Sequence, residues 1–139
     1  MALMPKRVKF RKAQRRRIRG TASKGNTVSF GVAGLQSAGQ GLISAQQIEA
    51  GRVAATRFLQ HEGKVYIRIF PYKPVTGTPA ETRMGKGKGE IDFWAAPVRA
   101  GTILYEIAGV PLDVAKQALA RVAHKMPVKS RLAVRRFEP

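Results

Sequence analysis

"GTILYEIAGVPLDVAKQALARVAHKMP", residues 101–127, changes its period half-way along. Its first part, "GTILYEIAG", is a short run rich in β-branched and aromatic residues bounded by glycines, which reads as a strand. From Pro111 onward, Val114, Ala115, Ala118, Leu119, Val122 and Met126 recur at helical spacing. Pro111 suits the first turn of that helix, and Pro127 stops it. A strand that runs straight into an amphipathic helix requires mixed structure in packed layers.

The flanking sequence supplies those layers. "EIDFWAAPV" (90–98) reads as the preceding strand, and the turn at 99–101 predicts an antiparallel hairpin between the two. "VKSRLAVRRF" (128–137) alternates as a last strand. Upstream, "NTVSFGVAG" (26–34) alternates Val28, Phe30 and Val32 with small or polar neighbours, the period of a half-buried strand, ended by the glycines at 31, 34, 39 and 41. Ser44, with Gln47 three residues on, makes a capping box for a first helix whose Ile48, Ala55, Phe58 and Leu59 share a face until Gly63. "KVYIRIFPY" (64–72) sets Val65, Ile67 and Ile69 on one face and Tyr66, Arg68 and Phe70 on the other, stopped by Pro71 and Pro74. Residues 72–90 follow neither period, and an irregular run of that length in a compact domain is usually functional or disordered. The expected fold class is α+β: a single compact domain with a mostly antiparallel sheet of four or five strands and two helices. A basic N-terminal arm covers 1–25, and the globular part, 26–139, carries a long Gly/Lys loop at 72–90.

At 139 residues the chain can bury roughly two-thirds of its unfolded surface, enough for a core. It contains no cysteine, so disulfide scaffolds and thiolate metal sites are excluded. No apolar run approaches the ~18 residues of a membrane span, and the N-terminus enters charge without an apolar signal core; the reading is a soluble, unprocessed protein with no membrane partner. Twenty-six Lys and Arg against eight Asp and Glu give +18 and a pI near 11.5. An imbalance of that size favours a polyanion, nucleic acid first.

The charge is one-sided. Ten basic residues precede the first acidic one, Glu49. Nine of them, Lys6, Arg7, Lys9, Arg11, Lys12, Arg15, Arg16, Arg17 and Arg19, lie in "PKRVKFRKAQRRRIRG" (5–20) and are the candidate RNA-binding residues. A solubilising tail or an import address would need the charge alone; Phe10 and Ile18 among the arginines fit an arm that tucks apolar groups into RNA shape. In "TRMGKGKGE" (82–90), Gly85, Gly87 and Gly89 carry no side chain, so the backbone can approach a phosphate or ribose, while Lys86 and Lys88 add charge. Arg83 and Met84 stand at its entrance with a planar fork and a flexible apolar filler.

Catalysis fares worse. A phosphate-binding loop needs Ser or Thr after its lysine, and glycine follows both Lys86 and Lys88. His61 and His124 fall on expected helices beside charged residues, and the carboxylates are scattered except for Glu90 and Asp92. No catalytic group, metal site, cofactor or small-molecule substrate is expected. A free RNA-binding regulator or chaperone and a ribonucleoprotein component both fit these features.

"PKRVKFRK", "VSFG", "SAQQIEAGR", "IRIFPYKP", "TRMGKGKGEIDFW", "LYEIAGVPLDVAKQAL" and "KMPVKSRL" together resemble, over essentially the whole chain, the bacterial-type large-subunit ribosomal protein sixteen family. The resemblance implies a structural, non-catalytic constituent of the large ribosomal subunit, in the cytoplasm or on an organelle-encoded ribosome. Its implied partners are large-subunit rRNA, tRNA and neighbouring ribosomal proteins. It further implies that the arm from Lys6 to Arg19 and the loop Arg83, Met84, Gly85, Lys86, Gly87, Lys88 and Gly89 extend toward the peptidyl transferase region and aminoacyl-tRNA. The chain departs from the family pattern at Gln14, Arg15, Arg16 and Arg17, where His-Arg-Gly-Arg is common, and at Gln40.

Overall fold

The computed structural model describes Thr21 and residues 25–76 and 91–134. Chain order gives β1 (Ala33–Ser37), β2 (Gly41–Ser44), α1 (Ala45–Leu59), β3 (Lys64–Ile67), β4 (Lys73–Thr76), β5 (Ile91–Val98), β6 (Ile103–Ala108), α2 (Leu112–Ala123) and β7 (Ser130–Val134). All ladders between these strands are antiparallel. The class is α+β, as the change of period requires.

The strands form two sheets, where the sequence predicts one. A four-stranded sheet runs β3-β6-β1-β7 and a three-stranded sheet runs β2-β5-β4. The expected hairpin is therefore a corner: β5 and β6 are consecutive but belong to different sheets. β5 spends both edges on β2 and β4, β6 spends both on β1 and β3, and neither has an edge left for the other. Gly101 turns the chain between them at φ 97, a backbone that favours glycine. The corner is tied to the end of β1, since Gly101 N–H donates to the Ser37 carbonyl at 2.7 Å and Ser37 N–H to the Thr102 carbonyl at 2.8 Å.

Two more boundaries differ from the sequence reading. The first strand begins at Ala33 instead of Asn26, because the N–H groups of Ser29, Phe30 and Gly31 go to the Glu106 carboxylate; Gly34, expected to end the strand, is one of its paired residues, where a Cβ would lie 2.9 Å from the Tyr105 carbonyl oxygen. Residues 73–76, expected inside an irregular run, are β4. Pro74 is tolerated because β4 is an edge strand.

Both helices occupy their expected places. Ser44 Oγ accepts from Gln47 N–H at 3.2 Å while Gln47 Oε1 accepts from Ser44 N–H at 2.9 Å, completing the capping box. Helix α1 stops at Leu59, before Gly63, because Gln60 and His61 turn left-handed at φ 51 and 65. His61 is thus beyond the helix and His124 is the C-cap of α2. Ile48, Ala55 and Leu59 of α1 and Ala115, Leu119 and Val122 of α2 meet Leu35, Tyr105 and Ile107 of the larger sheet in one core. Tyr105, fully buried, donates its hydroxyl to the Ile48 carbonyl at 2.5 Å, and burial pushes its ionisation far above the usual phenol range. Gly51 makes room for it, since a Cβ there would stand 2.6 Å from that hydroxyl. Among the described residues no helix is long and apolar enough to cross a membrane.

Candidate nucleic-acid interface

The residues singled out in the sequence, Lys6 to Arg19 and Arg83 to Gly89, lie outside the described residues, as does Glu90. What the structure defines is how both segments are rooted.

The root of the arm, residues 25–31, is bonded at nearly every step to the four-stranded sheet. The Gly25 carbonyl accepts from Ile103 N–H at 2.8 Å. Gln36 Nε2 donates to the Asn26 carbonyl at 3.2 Å and to the Gly101 carbonyl at 2.8 Å. Arg68 Nη1 donates to the Thr27 carbonyl at 3.3 Å. Then Ser29, Phe30 and Gly31 aim three successive N–H groups at one atom, Glu106 Oε1, at 2.8, 2.8 and 3.1 Å. The other carboxylate oxygen, Oε2, pairs with Arg68.

Glu106 is the one fully buried ionisable group among the described acids and bases apart from Tyr105. Alternation explains its position. Tyr105 points to α1, so Glu106 leaves the other face of β6, where the arm's root crosses. Burial alone would raise its pKa, but the hydrogen bond from Arg68 and the N–H groups of Gly31 and Phe30 outweigh that, and the net shift is downward. The carboxylate therefore stays ionised and acts as the fixed anion around which the root folds. Sequence reading missed it, although a lone acid inside "ILYEIA" is the available signal: a charge in an otherwise apolar strand must have partners.

Phe30 corrects a second reading. It belongs to this root, is exposed, and stacks on Tyr66 with ring centroids 5.4 Å apart. The Arg68 guanidinium lies 5.1 Å from the Phe30 ring and Lys64 Nζ 5.9 Å from the Tyr66 ring.

The loop has a different root. Val75 pairs with Phe93 and Thr76 with Ile91, so β4 and β5 carry both ends of the intervening segment side by side. β4 is held through β5, whose other edge is zipped to β2 from Gly41↔Val98 to Ser44↔Ala95. Thr21, from the arm, bridges to Ala100 just beyond the opposite end of β5. Thr21 and the base of the loop are thus separated by about the length of that strand, at most about 30 Å at ~3.3 Å per residue.

A further basic surface lies on the helix layer. Arg57, Arg121, His124 and Lys125 border an open groove of about 990 Å³ floored by Ala50, Val53 and Ala54. Arg121 covers the Phe58 ring at 4.7 Å. The one carboxylate on that rim, Glu49, is already paired with Arg52. Among the described residues no three His, Cys, Asp or Glu side chains gather to hold a metal ion.

Comparison with known proteins shows the family. Residues 5–133 match the family described as ribosomal protein L16p/L10e. The chain is 63% identical over 136 residues to the large ribosomal subunit protein uL16 of Rhodopirellula baltica, covering 98% of this chain and 99% of that one. It is 49% identical over 134 residues to uL16 of Christiangramia forsetii, 96% of each chain, and 55% identical over 128 residues to uL16 of Francisella tularensis subsp. novicida, 92% and 93%. With a family match over nearly its whole length and full-length relatives at these identities, the chain belongs to the ribosomal protein L16p/L10e family.

Proposed function

We propose that the protein is a structural, non-enzymatic constituent of the large ribosomal subunit, in the cytoplasm, bound to large-subunit rRNA through its arm and its loop. Membership of the family supports the ribosomal assignment and leaves the free regulator without support. The loop is the part that reaches tRNA: Arg83, Lys86 and Lys88 meet phosphate, and Gly85, Gly87 and Gly89 let the chain lie against a tRNA or rRNA backbone near the peptidyl transferase centre. The observation that carries this reading is the β4–β5 ladder, which brings both ends of the loop out together from a sheet zipped to the body. Paired ends support a directed role for the loop.

The test for incorporation is sedimentation. Tagged protein in a cell extract at moderate salt is expected to co-migrate with large subunits on a sucrose gradient. Spread through the light fractions would identify a free RNA-binding protein and overturn the assignment.

A further inference from the structure

Half of the aromatic side chains in the described residues are exposed. Of those in the described residues, only Trp94 and Tyr105 are buried, whereas Phe30, Phe70 and Tyr72 are 56%, 48% and 60% exposed. Burying such rings is ordinarily a main contribution to a core, so a group left outside calls for a partner.

Their arrangement narrows that partner. Along β3 and its extension, Val65, Ile67 and Ile69 pack on the core, and alternation sends Lys64, Tyr66, Arg68 and Phe70 the other way. Arg68 N–H donates to the Leu104 carbonyl at 2.9 Å, so the extended backbone continues past the end of β3. Phe30 enters this row between Tyr66 and Arg68, giving the order cation, ring, ring, cation. Pro71 is fully buried and holds the corner from which Phe70 and Tyr72 project, with Tyr72 N–H bonded to the Phe70 carbonyl at 3.0 Å. Rings flanked by cations along a stiff strand suit a π-faced anion, and an RNA segment with unpaired bases is one: bases stack on the rings while Lys64 meets phosphate. A purely apolar protein partner would leave Lys64 buried without a counter-charge.

We propose that Tyr66, Phe70 and Tyr72, with Phe30 and Lys64, form a stacking platform for unpaired rRNA bases beside the root of the arm. This rests on the ribosomal reading and adds a subsite to it. Arg68 is a positioning residue, since Glu106 and the Thr27 carbonyl already occupy its guanidinium.

Stacking and phosphate contact differ in salt dependence, which makes the platform testable. The full chain and its Phe70→Ala and Tyr72→Ala variants are titrated against a single-stranded RNA 12-mer and a paired duplex of equal length, across a range of salt. Each variant is expected to bind the single strand about tenfold more weakly at every salt concentration, with an unchanged log-log slope and unchanged duplex binding. Neither ring stacks on the arm's root, so a loss cannot be ascribed to a loosened arm. In large subunits reconstituted with the double variant, specific unpaired rRNA bases become more reactive to base-directed chemical probes. Unchanged single-strand affinity, or an equal loss on the duplex, overturns the platform; so does loss of a neighbouring protein from the particle without any change in base reactivity. These outcomes are distinct from failure of the ribosomal reading, in which the wild-type chain itself does not enter the subunit.

Discussion

Glu106 shows how much one residue can organise. Three backbone N–H groups and a guanidinium converge on a buried carboxylate, and without it the three N–H groups would lose their acceptor and Arg68 its counter-charge. Glu106→Gln keeps an acceptor but removes the charge opposite Arg68, and is expected to cost about 2–3 kcal/mol in denaturant unfolding. Amide exchange at Ser29, Phe30 and Gly31 should accelerate together, while exchange in α2 changes only as far as global stability does. The pH dependence has a definite sign. The folded-state pKa is lowered from an ordinary value of 4.5, so the stabilisation is complete above that value and is lost as pH falls through the folded pKa. Wild-type stability should therefore decline in acid below about pH 4, and Glu106→Gln should flatten that decline; an identical acid limb in the variant would show that the carboxylate is not a stabilising anion. A pair of glycines tests the neighbouring backbone. A Cβ at Gly31 would run into the backbone of Ile107, whereas one at Gly39 meets nothing within 4 Å. Gly31→Ala is expected to destabilise by about 1–3 kcal/mol, and Gly39→Ala to be neutral or slightly stabilising, compared by thermal melts.

At the scale of elements, legibility followed the range of the signal. The capping box of α1 and the apolar face of α2 are local patterns, and both helices stand where those patterns put them. Ser44→Ala should cost about 1 kcal/mol by removing an acceptor from the first turn, a change measurable as a shifted unfolding midpoint. Strand partners are not local. "EIDFWAAPV" and "GTILYEIAG" are both strands, yet no feature of either says that β5 pairs with β2 and β4 while β6 pairs with β1 and β3. Phe30 was legible as part of an alternating segment, but alternation cannot distinguish a strand within a sheet from an extended root lying across one. The sequence ended α1 at Gly63, the residue type that most often stops helices, whereas the chain turns left-handed earlier, at Gln60 and His61. For the interface, charge and glycine spacing marked the arm and the loop, and what they could not mark is the rooting: Gln36, Arg68 and Glu106 come from three different elements or their edges and converge only in the fold.

In the whole molecule, the two segments marked by sequence leave from opposite ends of β5, and the helix layer carries a further basic groove. Such a distribution suits a protein enclosed by RNA on several sides, and it separates two kinds of contact that experiment can resolve. The arm contributes bulk charge. Removing residues 1–19 deletes nine cations, and should flatten the salt dependence of binding to structured RNA by up to about 8 in log-log slope, far more than Lys86→Ala with Lys88→Ala, which remove two. On the proposed reading the loop contributes shape as well as charge, which makes Gly87 its sharpest probe. Gly87→Val removes no charge, but a β-branched side chain stiffens the backbone and fills the space an RNA or tRNA backbone would occupy. The substituted residue lies between the ends of β4 and β5 in sequence, outside both, so thermal stability of the free protein should stay within ~0.5 kcal/mol. Large subunits reconstituted with Gly87→Val are expected to assemble, yet to bind aminoacyl-tRNA or transfer peptide poorly in single-turnover assays, while the two lysine variants show graded electrostatic losses that deepen with added salt. Wild-type tRNA binding and peptide transfer with the valine variant would reduce the loop to a surface excursion, because a backbone that needs close approach cannot accept an isopropyl group at its centre without consequence.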